Sequence, residues 1–279
     1  MIKSLSPLRY PGGKSKIYKK VKNLIEIYGM GNKTYVEPFA GGFGIGIGLL
    51  SENIIQNAVL NDYDSHIYHF WYSLLNETDG MLRLINDTSI TLEERENQKK
   101  TYKDKSADML SDGFATLFLN RVNFSGIIKG GPIGGLSQSG KYKLDCRFDK
   151  KEVMRKIEGI ALLKERIFLY NCDAGELISN YLKNTIKTYF FNIDPPYVEK
   201  GSQLYTNYFN ESDHINLERV ITKELKETPW IVTYDDCKLI HDIYSQYIIM
   251  DYKIQHNAGG SVIGRELVIS NLPKDTFVW

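Results

Sequence analysis

The stretch from Thr34 to Asp62 constrains the fold more than any other part of the chain. Thr-Tyr-Val-Glu-Pro-Phe (34–39) is a short β-prone run that ends in a cluster of glycines, Gly41, Gly42, Gly44, Gly46 and Gly48, and then meets Leu49 and Leu50. That order predicts a strand, a tight turn and a helix. Ala58-Val-Leu-Asn-Asp62 follows as a second strand ending in an acid, about twenty residues past the glycines, with a helix-like run from Ser65 to Leu75 behind it. Together these read as the opening of a Rossmann-type unit, so the expected fold class is α/β. The dinucleotide fingerprint itself is absent, because position 47, where its third glycine belongs after Gly42 and Gly44, is Ile. Glycines that serve only helix–sheet packing are the alternative reading of the turn.

From about Asn76 to Lys151 the pattern changes. Apolar strand runs disappear, Leu92 to Asp112 is polar with helical spacing, and Gly126 to Gly140 is dense in glycine. Beyond it, β-prone segments resume at 168–171, 189–193, 230–234, 248–252 and 266–270, with helical stretches such as 176–182 and 212–225 between several of them. The expected organisation is a catalytic domain of residues 1–75 and 152–279, interrupted by a mainly helical insertion of residues 76–151. A chain of 279 residues, 42% hydrophobic and 25% charged, is large enough to bury such a core.

Several classes are set aside by composition. No run approaches the roughly 18 to 20 apolar residues of a membrane span, and the N-terminus lacks the apolar core of a secretory signal, so a cytoplasmic protein is expected. The three cysteines, Cys146, Cys172 and Cys237, are too few and scattered for a disulfide framework. No Cys or His pair has zinc-ligand spacing, so no metal is expected. The net charge is only +1, but residues 121–155 hold eight basic side chains against three acidic ones. That surplus fits either a phosphate-facing stripe or a solvated face.

Asn192-Ile193-Asp194-Pro195-Pro196-Tyr197 joins the end of a buried strand to two prolines and an aromatic. Asp194 can accept from an amino group, while Pro195 and Pro196 stiffen the turn and remove competing N–H donors. Tyr197 can stack on a base. An amine attacking a sulfonium methyl needs its lone pair freed from conjugation and aimed along the S–CH3 bond, which acceptors on the NH2 achieve. A plain loop with Asp194 as a turn residue is the alternative. Asp62, closing the second strand, can accept from two ribose hydroxyls or cap the helix after it.

Arg9-Tyr10-Pro11-Gly12-Gly13-Lys14, Glu37 to Gly44 and Asp194-Pro195-Pro196-Tyr197 resemble, in this order, three motifs of the Dam-type family of DNA adenine methyltransferases. The resemblance covers nearly the whole chain. It implies a Rossmann-like core that uses S-adenosylmethionine, with Tyr10, Lys14, Phe39 and Gly41 at the cofactor, Asp62 on its ribose and Asp173 on its adenine. Asp194 and Tyr197 would hold the substrate base, and the insertion would be the target-recognition part. Within it, Asn120-Arg121-Val122-Asn123-Phe124 resembles the family segment that precedes a DNA-reading hairpin.

Arg121 in that setting can donate two bonds to one guanine, and Asn123 can fill the gap left by a flipped base. Asn120 and Arg121 serving only to pin the hairpin is the competing role. Lys129 begins a stretch, Lys-Gly-Gly-Pro-Ile-Gly-Gly, that is richer in glycine than the family pattern. Val232-Thr-Tyr-Asp-Asp236 stands where many relatives carry Ser-Asn, and the aromatics of 205–210 lie where the family has a closing loop. The five histidines form no constellation. The expected partners are double-stranded DNA and a cognate restriction endonuclease, with a monomer or weak dimer. A catalytically inactive DNA binder, or the same chemistry on RNA or a protein glutamine, are the rival readings.

Overall fold

The apolar runs of the sequence become the strands of one sheet. A computed structural model of the chain describes residues 5–9, 17–198, 209–256, 262–274, 277 and 279. The strands are β1 (Thr34–Glu37), β2 (Ala58–Asn61), β3 (Ile167–Tyr170), β4 (Tyr189–Ile193), β5 (Trp230–Asp235), β6 (Ile248–His256) and β7 (Val262–Ser270). Among the described residues they lie in the order β3-β2-β1-β4-β5-β7-β6. The first five pair in parallel, and β7 runs antiparallel between β5 and β6. Burial is unbroken along β2 and β5, as in parallel strands covered on both faces. Val36, Val59, Phe191, Trp230 and Val232 pack there with Leu177, Leu217 and Ile221 from the covering helices.

The chain divides into two compact units, one of Lys14–Asp64 with Arg166–Trp279 and the other of Met1–Gly13 with Ser65–Glu165. The first carries the sheet. It also holds α1 (Tyr18–Ile27) and α2 (Gly44–Ser51), and a helix at Glu211–Glu224 whose Asn210 and Asp213 form a reciprocal capping box.

The second unit is built from α3 (Ser65–Asn76), α4 (Thr78–Asp87), α5 (Leu92–Lys103), α6 (Met109–Val122) and α7 (Lys150–Ala161). The polar run expected as one helical stretch divides in two. Thr91 caps α5 by accepting from the Glu94 N–H, Asp104 ends it, and Asp108 caps α6 through the Ser111 N–H. The packing boundary falls at Ser65 and not at residue 76, because α3 belongs with α6. Phe70, Trp71 and Leu74 are fully buried. His66 and His69, both half-buried, each hold the buried Asp112 carboxylate through Nδ1 at 2.7 Å. For the same reason α7, read from the sequence as part of the catalytic domain, lies in the helical unit.

Candidate active site

Between β2 and β4 the chain direction across the sheet reverses, since β1 pairs with β2 on one side and with β4 on the other. Open parallel sheets bind ligands beyond the strand carboxyl ends at such a switch point. Four strand ends meet there in sheet order: Asp173 after β3, Asp62 after β2, the glycine turn after β1, and Asp194 after β4. With neighbouring strands about 4.8 Å apart, this row spans about 14 Å. One side of it is acidic and fit for hydroxyl and amino donors. The other ends at the proline turn.

Asp62 ties the first two motifs together. Its Oδ2 accepts from the Gly41 N–H at 2.8 Å and its Oδ1 from the Asp64 N–H at 3.0 Å. Burial pushes its carboxyl up to about 7, against the pull of the backbone donors. Each oxygen retains a second lone pair beyond these backbone bonds. Asp173 is exposed, and its Oδ1 accepts from the Gly175 and Glu176 N–H groups, fixing the carboxylate at the end of β3. Phe39 is half-buried and meets Phe209 edge-on at 5.8 Å. Gly41 is buried in the turn itself. These residues fit a nucleoside carrying hydroxyl and amino groups. Tyr10 and Lys14, placed by resemblance at the cofactor, lie outside the described residues, as does most of 205–210.

A buried polar frame lies under the turn. Glu37 Oε1 accepts from the Tyr35 hydroxyl at 2.9 Å and from the Gly46 N–H at 3.1 Å, and Asn192 on β4 donates to the Tyr35 hydroxyl at 2.7 Å. Burial raises the Glu37 carboxyl to about 8, and the Asp194 charge adds to the rise. Phe43 takes a left-handed backbone, φ 47°, and its ring fills the space at Gly46, where a Cβ would sit 2.2 Å from it. Glycine at 46 is therefore a packing requirement. Asn61, fully buried, donates to the Pro38 and Cys172 carbonyls and accepts from the Cys172 N–H, joining the ends of β1, β2 and β3.

The turn after β4 is half-open. Pro195, Pro196 and Tyr197 are buried, while Asp194 is only partly so. The Thr233 hydroxyl donates to Asp194 Oδ1 at 2.7 Å, and Asp235 Oδ1 accepts from the Val198 N–H at 3.0 Å. Tyr197 is 4% exposed, and burial, with the Asp194 and Glu266 charges next in weight, holds its hydroxyl well above the ordinary tyrosine range. A ring so enclosed offers a stacking face only after it is uncovered.

In the helical unit, the residues expected at DNA are mostly buried. Asn120 accepts from the Arg9 N–H at 2.7 Å and donates to the Arg9 and Gly126 carbonyls. Gly126 needs its positive φ of 79°, and a Cβ there would lie 2.1 Å from the Arg9 carbonyl oxygen. Asn123, fully buried, accepts from Arg95 Nε at 2.7 Å and donates to the Ile128 carbonyl. The expected hairpin is closed by a single bridge, Asn123 to Pro132. Arg121 is 9% exposed, donates to the Pro7 carbonyl at 3.2 Å, and has a buried Nε with no hydrogen-bond partner among the described residues. Its guanidinium is pushed down to about 10, first by burial and then by Arg9 and Arg147. Lys129 is exposed.

Sequence reasoning missed Asn61, Thr233 and Asp235 as site residues. The available signal was a lone polar side chain within or closing an otherwise buried strand. Among the described residues, no group of three or more His, Cys, Asp or Glu is placed to hold a metal ion, and no helix is long and apolar enough to cross a membrane.

Comparison with known proteins gives a curated relative, "Type II methyltransferase M.MjaIII" of Methanocaldococcus jannaschii, 26% identical over 238 residues that cover 77% of this chain and 78% of the relative. Among solved structures, the rRNA methyltransferase aviRa of Streptomyces viridochromogenes aligns over 90% of this chain and 83% of its own, at 11% identity and a TM-score of 0.40. TrmK of M. capricolum, in complex with S-adenosyl-homocysteine, aligns over 89% and 66%, at 10% identity and a TM-score of 0.36. The description "D12 class N6 adenine-specific DNA methyltransferase" matches residues 10–257. The chain therefore belongs to the D12 class of DNA methyltransferases, which transfer a methyl group from S-adenosylmethionine to the N6 nitrogen of adenine.

Proposed function

We propose that Asp194 captures the exocyclic amine of an adenine extruded from double-stranded DNA, and that the glycine turn, Asp62 and Asp173 hold the cofactor beside it. The observation that carries this reading is the pairing of β1 with β4, which sets the Asp194 turn directly beside the glycine turn. When bound, S-adenosylmethionine supplies an electrophilic methyl on a sulfonium. Asp194 accepts a hydrogen bond from the amine and so localises its lone pair for attack. The transfer is direct, with no covalent bond to the enzyme. Pro195 and Pro196 fix the carboxylate's direction by stiffening the backbone that bears it. Extrusion of the base costs a few kcal/mol, which interactions with DNA offset.

Those interactions are assigned to the helical unit. Lys129, Lys141, Lys143 and Arg147 are exposed, and so are Phe124, Leu136 and Tyr142 on the same stretch of chain. Lys141 and Arg147 lie 5.9 and 6.0 Å from the Tyr142 ring. Basic side chains interleaved with aromatics suit a phosphate backbone with bases alongside. In this reading Asn120 and Asn123 shape the hairpin, while Arg121 adds positive potential beneath it. The type II name of the M. jannaschii relative is consistent with a modification enzyme that works beside a nuclease of the same site.

Incubation of the protein with labelled S-adenosylmethionine and, side by side, duplex DNA, RNA and protein tests the reading. Label on adenine N6 of duplex DNA is expected, together with its loss in Asp194→Ala at undiminished cofactor affinity. Transfer to none of them leaves a binding protein, and preferred transfer to RNA or protein replaces DNA as substrate. Cofactor affinity lost in step with activity would move Asp194 out of the amine site.

A further inference from the structure

Strand β5 faces the catalytic turn with two side chains, two residues apart and therefore on one face. Thr233 donates to Asp194 Oδ1 at 2.7 Å, and Asp235 accepts from the Val198 N–H at 3.0 Å. The backbone ladder between β4 and β5 ends at Ile193 with Val232. These two bonds continue the pairing through side chains on both sides of Pro195 and Pro196.

Thr233 has no exposed surface, and its neighbours on β5 and β7, Val232 and its register partner Val268, are apolar. A valine would fill this β-branched position in a buried strand as well as threonine does. What the hydroxyl adds is its hydrogen bond, and that bond goes to the carboxylate assigned to the target amine. That bond constrains the carboxylate, because the terminal torsion of Asp is broad and two-fold, so rotamer preference does not set the plane of its oxygens. A misplacement of about 1 Å at a reacting group costs on the order of 100-fold in rate.

We propose that Thr233 is a positioning residue for methyl transfer: its hydroxyl fixes the plane of the Asp194 carboxylate so that the target amine meets a correctly aimed acceptor. The inference rests on the assignment of Asp194 to the amine.

The test compares Thr233→Val, Thr233→Ser and Asp194→Asn in the full chain, with kcat at saturating DNA and cofactor, both KM values and thermal unfolding measured for each. Thr233→Val is expected to lower kcat by about 10- to 100-fold, the worth of a hydrogen bond to a charged group, with both KM values little changed. Thr233→Ser, which keeps the hydroxyl and loses the methyl, is expected to stay near the unmodified rate. Full kcat in Thr233→Val overturns the proposal. So does a Thr233→Ser variant with kcat reduced by about 10-fold or more, whether or not Thr233→Val folds, because the methyl would then be what matters. Asp194→Asn separates the two levels: if it is inactive while Thr233→Val is fully active, only the Thr233 role fails. If Asp194→Asn transfers at the unmodified rate, the assignment of Asp194 fails with it.

Discussion

The Gly41 N–H donates to Asp62 Oδ2 at 2.8 Å, so the acid that closes β2 is also what holds the glycine turn after β1. A carboxylate in this position shapes the turn, and the proposed cofactor role would use its remaining lone pairs. Asp62→Ala is therefore expected to weaken S-adenosylmethionine binding by at least about 10-fold, from loss of a hydrogen bond to a charged group. Titration calorimetry measures it. Unchanged affinity in a folded variant removes Asp62 from the cofactor site.

Glu37 makes stability fall with rising pH. Its buried carboxyl is raised to about 8 from an ordinary 4.5, so between those values the folded state holds a proton that the unfolded state has released. Stability then decreases as pH rises, being full below about 4.5 and lost progressively up to about 8. Asp62, raised to about 7 from 3.8, acts in the same direction over a lower window. Glu37→Gln keeps an oxygen for the Tyr35 hydroxyl and the Gly46 N–H but cannot ionise. Denaturant unfolding at a series of pH values from about 5 to about 9, chosen to bracket the titration, is expected to show a shallower decline in the variant, and an equal decline in both proteins contradicts the assignment.

The parts of this site that could be read from the sequence are those whose chemistry is local. Gly41 and Gly42 announce a turn by composition, Pro195 and Pro196 announce a stiff one, and the doubly wound pattern implies that β1 and β4 are neighbours. Asn61 and Thr233 could not be read in this way. Each is one polar residue in a β-prone run, and its partner lies 111 or 39 residues away, brought near only by strand order. The boundary at Ser65 was hidden for a related reason. The apolar face of α3 says that Phe70, Trp71 and Leu74 are buried, but not whether a sheet or α6 covers them. At Asn120 and Asn123 the sequence admitted a base contact, whereas their amides are committed to backbone groups and to Arg95.

That commitment makes Asn123 a stability residue. Asn123→Ala strands the buried Arg95 Nε and the Ile128 carbonyl, each of which loses its partner. A loss of at least about 1–3 kcal/mol is expected, read as a lower unfolding midpoint without DNA. If the midpoint holds and discrimination between target sequences falls instead, Asn123 is a reader of DNA.

Arg121 and Lys129 separate two ways of meeting DNA. The Arg121 guanidinium sits where burial, Arg9 and Arg147 all disfavour its charge, and Asp149 and Glu152 compensate only in part. A phosphate nearby relieves that repulsion for any base sequence, so Arg121→Ala is expected to weaken cognate and scrambled duplexes alike. It should also flatten the dependence of log K on log salt by about 0.9 for each phosphate the variant leaves unneutralised. Lys129, exposed on the hairpin, is expected to show the same slope change with a smaller loss of affinity, since its charge is already solvated. Binding measured across a salt series on both duplexes decides. An unchanged slope, with discrimination at one base pair reduced by about 1–3 kcal/mol, makes Arg121 a guanine reader. An unchanged slope with a lowered unfolding midpoint makes it a pin for Pro7 and nothing more.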